Sequence, residues 1–154
     1  MGVMYHVWPA SEAQVAQLLA GRITLPDVST PSRNPTPSEI RAVAAGMTDL
    51  KVTVWSPPEH KWWQVSFDGF KDPRAEPWTV LNVSDFSGDE AAPHEISFEK
   101  GWPSLILRIV HALVAITGPL VIFPDNDCEA IVVRAGDDPQ ALRESWKHQS
   151  GVGR

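Results

Sequence analysis

A chain of 154 residues is long enough for one ordinary domain with its own core, and a composition that is 43% hydrophobic and 21% charged excludes both wholesale disorder and a fibrous repeat. Nineteen acidic against thirteen basic residues give a formal net charge of -6, and the lysines and arginines are scattered singly, so no basic patch offers itself to a phosphate backbone or an anionic membrane surface. With Cys128 as its one cysteine the chain forms no intramolecular disulfide and needs no oxidising compartment.

Residues 3–8 read as a short strand ended by Pro9. Ser11 and Gln14 then stand at capping-box spacing, and Val15, Leu18 and Leu19 make a helical stripe closed by Gly21. Between residues 23 and 37 the chain carries Pro26, Pro31, Pro35 and Pro37, which reads as a long surface loop and the most mobile segment of the domain. Thr36, Pro37 and Glu39 repeat the helix start signal for a short helix to about Ala45.

The middle of the chain has strand periodicity. Val52 and Val54 share one face of a strand over 50–55, and the Pro57-Pro58 turn folds it into an antiparallel hairpin with residues 61–67. Residues 78–83 and 94–98 add two strands joined by an acidic loop over 84–93, completing a meander of four. Residues 103–117 form the best-marked helix, apolar around most of its circumference, with Ser104, Arg108, His111 and Ala115 as a narrow polar strip. Gly118-Pro119 stops it, which divides the apolar stretch 105–123 into a helix and a strand rather than a membrane span. Residues 120–123 and 130–133 pair across a turn, and Asp138-Pro139 starts a last helix through Trp146, ahead of a tail over 149–154. The sum is a single α+β domain, a mainly antiparallel sheet packed against a buried central helix with flanking helices. The N-terminus lacks the basic and apolar regions of a signal peptide, so a cytoplasmic protein is expected.

No residue pattern compels catalysis. Asp125-Asn126-Asp127 begins like a calcium loop but lacks its glycine and distal glutamate, and reads as a turn. Cys128 stands between Asp127 and Glu129, whose charges suppress a thiolate. No histidine pair has zinc-site spacing, and His94 and Glu95, adjacent on a strand, point to opposite faces. No metal or cofactor is expected. Arg108 and His111, near Asp125, are the one polar constellation from which a small hydrolase or transferase could be built.

Two features favour a binding role instead. Trp62 and Trp63 are successive strand residues, so one of them faces outward, and Trp55 across the turn can join it; indoles are the side chains most enriched at interface hot spots. The same three indoles could alternatively line a carbohydrate-type site. Asp85, Asp89, Glu90, Glu95 and Glu99 have no lysine or arginine among them, and Asp125, Asp127, Glu129, Asp137 and Asp138 form a second acidic group, a field that attracts a basic protein. A small acidic α+β domain with acidic loops resembles the immunity proteins of bacterial toxin systems, and the stretches 98–103 (Phe-Glu-Lys-Gly-Trp-Pro) and 118–125 (Gly-Pro-Leu-Val-Ile-Phe-Pro-Asp) look like signature segments. That resemblance implies a non-catalytic inhibitor that covers the active site of a cognate, basic, nuclease-type toxin. On that expectation the partner is met by Trp55, Trp62, Trp63, Asp85, Asp89, Glu90, Glu95, Asp125 and Asp127.

Overall fold

In the computed structural model, which describes residues 3–11, 30–57, 62–70, 76–125 and 130–146, strands β1 (Met4–Pro9), β2 (Lys51–Trp55), β3 (Trp63–Asp68), β4 (Trp78–Val83), β5 (Ile96–Gly101), β6 (Leu120–Pro124) and β7 (Ile131–Val133) form one antiparallel sheet in the order β2-β3-β4-β5-β1-β6-β7. The expected meander and C-terminal hairpin are both present. What joins them is β1, an interior strand that pairs with β5 on one side and β6 on the other. The expected helix over 14–19, the residues 126–129 that include Asp127 and Cys128, and the tail lie outside the described residues.

Strand alternation sorts the side chains. Tyr5, Val7, Trp63, Val65, Phe67, Leu81, Val83, Ile96 and Phe98 are buried on one face. Against that face pack helices α1 (Pro37–Ala45), α2 (Pro103–Thr117) and α3 (Pro139–Ser145), led by the apolar circumference of α2, and the resulting core is continuous. Each helix starts where the sequence places it. Thr36 Oγ1 accepts from the Glu39 amide at 3.1 Å while Glu39 Oε1 accepts from the Thr36 amide at 2.9 Å, and the Asp138 side chain accepts from the Gln140 amide at 3.2 Å. Among the described residues no helix is long and apolar enough to cross a membrane.

The two segments that stand out in the sequence are structural joints. In the first, Lys100 is an extra residue where the β4–β5 register shifts, and both it and Gly101 have positive φ, 58° and 107°. A Cβ on Gly101 would lie 2.4 Å from the Trp78 carbonyl oxygen, so only glycine carries the chain through this bulge into α2. In the second, Gly118 leaves α2 at φ 85°, and a Cβ there would meet the Pro31 carbonyl oxygen at 2.3 Å. That close approach anchors the Pro-rich connection. Over residues 30–37 it is tied down rather than loose: the Arg33 amide donates to Thr117 O, the His94 amide donates to Pro35 O, and Ser32 and Ser11 exchange hydrogen bonds. Pro35, Thr36 and Pro37 are buried. Prolines lack a ladder donor, but the Pro35 carbonyl still accepts and the residues between the prolines, Ser32 and Arg33, supply the remaining hydrogen bonds that hold this segment.

Candidate partner-binding face

The face of the sheet opposite the three helices is laid out by strand register. One row runs Trp55, Gln64, Asn82, Ser97, His6, Phe123 across β2, β3, β4, β5, β1 and β6. On one side of it lies the row Thr53, Ser66, Val80, Glu99, Met4. On the other side the Ser84 amide donates to Glu95 O, and Trp8 pairs with Val121; Trp62, one step beyond the Trp63–Val83 pair, sits at the β3 end of that row. None of these positions is a lysine or an arginine. The carboxylates among them, Glu95 and Glu99, are exposed.

Indoles flank this polar strip at both ends. Trp55 and Trp62 are 54% and 38% exposed and stack on each other with centroids 6.5 Å apart and planes at 24°. At the other end Trp8 stacks on His6 at 5.8 Å and on Phe123 at 5.6 Å, and its Nε1 donates to Glu95 Oε1. Beneath this second group lies a small apolar cluster of Ala10, Val121 and Ala130.

The expected contact residues divide sharply. Trp55 and Trp62 are on this face. Trp63 is not: at 1% exposure it lies in the core among Val65 and Phe67, with the Arg41 guanidinium 5.4 Å from its ring centroid, and a partner has no access to it. Asp85 is exposed in the turn after β4 with φ 50°, and Asp89 is exposed and accepts from the Ala91 amide at 2.9 Å. Glu90 is taken up by Arg41, which donates to its two oxygens at 2.5 and 3.1 Å. Those hydrogen bonds are the largest cause of its lowered pKa, which partial burial opposes. Trp63 Nε1 is buried with no acceptor in hydrogen-bond geometry. The acidic loop thus receives from α1 a cation that its own stretch of sequence lacks. His94, buried, pins the same loop, since Nε2 accepts from the Ser87 amide at 3.1 Å and Nδ1 lies 2.7 Å from Ala92 O. Asp125 accepts from the Met4 amide at 3.1 Å and caps the β1–β6 pair.

The polar strip of α2 is engaged with partners from other elements. Arg108 makes a two-pronged contact with Asp49 at 2.8 and 2.7 Å, and this lowers the Asp49 pKa. His111 Nε2 lies 3.2 Å from Ala135 O, and Asp125 is engaged with Met4. A cleft of about 400 Å³ between α2 and α3 is lined by Ser104, Arg108, Asp138, Pro139, Gln140 and Arg143, without His111. Among the described residues no three His, Cys, Asp or Glu side chains gather as a metal site.

Sequence reasoning missed Trp8, His6 and Phe123. The alternation in 3–8 already places His6 and Trp8 on one face, but nothing local shows that β1 lies between β5 and β6. Comparison with protein-family models, with curated proteins and with solved structures finds no match.

Proposed function

We propose that the chain is a non-catalytic protein-binding module of the immunity or inhibitor kind, acting in the cytoplasm, whose open sheet face takes a basic partner protein and covers that partner's active site. The observation that carries this reading is the open face itself: indole groups at its two ends, carboxylates and amides between them, and no cation on the three rows described, with Lys51 at the β2 margin opposite Asp68. Exposed, paired indoles supply the large desolvated anchors on which interface affinity rests, and truncating such an anchor typically costs about 2 kcal/mol or more. Glu95, Glu99 and Asp85 supply the attractive field for a cationic surface, a contribution that speeds encounter and weakens with salt.

The test is retrieval of partners by the purified full chain from its native host at low and at high salt, with each retained protein identified and rebound in purified form. The expected result is a basic protein, held at low salt and released as ionic strength rises, whose own activity is blocked when bound. Retention of nothing at low salt, or of a partner whose activity continues in the complex, contradicts the proposal.

A further inference from the structure

We propose that β2, an open edge of the sheet, associates with β2 of a second copy of this chain to make a two-fold symmetric dimer with one continuous sheet. Among the described residues β2 pairs only with β3, so alternate backbone N–H and C=O groups along Lys51–Trp55 point away from the sheet. The opposite edge, β7, has only three residues.

The sequence of β2, Lys-Val-Thr-Val-Trp, is complementary to itself when run antiparallel about Thr53. In that register Thr53 faces Thr53 of the second copy and Val52 faces its Val54. Lys51 then lies against the exposed indole of its Trp55. Because side chains directly opposite each other share a face, the two Lys–Trp pairs form on the open face and the valines meet on the helix face. An ammonium over an indole is a favourable electrostatic pair, whereas parallel pairing would set Lys51 against its own copy and repel. The cover is also wanted: Val52 and Val54 are only partly buried, while Val65 and Phe67 opposite them are wholly buried. A one-residue slip would turn the valines to the wrong face. An isologous pair of this kind closes on itself and does not propagate. A five-residue ladder buries less than a standard stable interface, so the dimer has a Kd on the order of 100 µM.

The test is sedimentation equilibrium of the purified full chain from about 10 µM to about 1 mM, a range that brackets that Kd. The wild type is expected to pass from monomer to dimer and to go no further. W55K sets ammonium against ammonium and should weaken association by at least about tenfold, and K51E should weaken it too. The double variant K51E/W55K sets opposite charges across the same two positions and should recover the dimer. Thermal unfolding of each variant shows whether it is folded. A chain that stays monomeric throughout, an association unchanged by W55K, or a folded double variant that fails to recover overturns the proposal. Because only the chain itself is present, the result is independent of whether a partner of different sequence exists.

Discussion

The two faces of the same sheet are built by the same alternation and do opposite work. On the helix side Phe98 is wholly buried, and one residue further on, Glu99 stands exposed on the open side, within hydrogen-bond reach of Asn82 at 3.4 Å. The contrast holds along β3, where Trp63, Val65 and Phe67 face in and Gln64 and Ser66 face out. The difference shows that the fold draws most of its stability from one face, while the other carries only the small apolar cluster around Val121. Trp55, Trp62, Glu95 and Glu99 on the open side are therefore left exposed at little cost to folding.

The largest effects that break this comparison belong to the covered face. F98A removes a wholly buried ring from the centre of the core and should cost about 3–5 kcal/mol in chemical denaturation, while E99Q next to it should stay within about 0.5 kcal/mol. Equal losses from the two would erase the distinction between the faces. G118A comes next, because its positive φ and the close Pro31 carbonyl leave no room for a Cβ; a loss of about 1–3 kcal/mol in the same assay is expected.

A smaller effect sharpens the picture at α1. Two hydrogen bonds from Arg33 do most to hold the Glu39 carboxyl down, against partial burial and with help from the Thr36 amide, to about 2 from an ordinary 4.5. A carboxyl lowered by folding contributes stability that is complete above its ordinary pKa and disappears as the pH falls toward the folded value. Wild type should therefore exceed E39Q by about 1 kcal/mol at neutral pH, a modest figure because the Arg33 side chain is largely in water. Between about pH 4.5 and pH 2 that advantage should vanish, as followed by thermal unfolding against pH. An advantage that persists at pH 2 would place the stabilisation elsewhere.

Local signals carried most of the architecture into view. Thr36-Pro37-Ser38-Glu39 writes the start of α1, Pro103 and Gly118 bracket α2, and alternation over 51–55 and 78–83 gives the meander. The parity of Trp63 with Val65 and Phe67 is enough to point that indole inward, yet Trp63 stands among the expected partner contacts, and the structure buries it. Contacts distant in sequence were not legible. Arg41 meets Glu90 across forty-nine positions, Trp8 meets Glu95 across eighty-seven, and Ser11 meets Ser32 across twenty-one. The acidic loop consequently read as more uncompensated than it is. Residues 30–37 of the Pro-rich connection read as loose because prolines advertise missing donors and not the bonds that Ser32, Arg33 and the Pro35 carbonyl make to distant parts of the chain. Above all, β1 as an interior strand depends on pairings with β5 and β6 that no window of sequence contains, and with it went the aromatic group of Trp8, His6 and Phe123.

The most direct measurement compares the two sides of the molecule in a single binding assay. Calorimetric titration of the native partner into W62A/E95Q, altered on the open face, and into R108A/R143A, altered on the helix side, should show affinity falling by about a hundredfold in the first and by less than about threefold in the second. Unchanged affinity in W62A/E95Q, or a larger loss in R108A/R143A, would contradict the assignment of recognition to the open face.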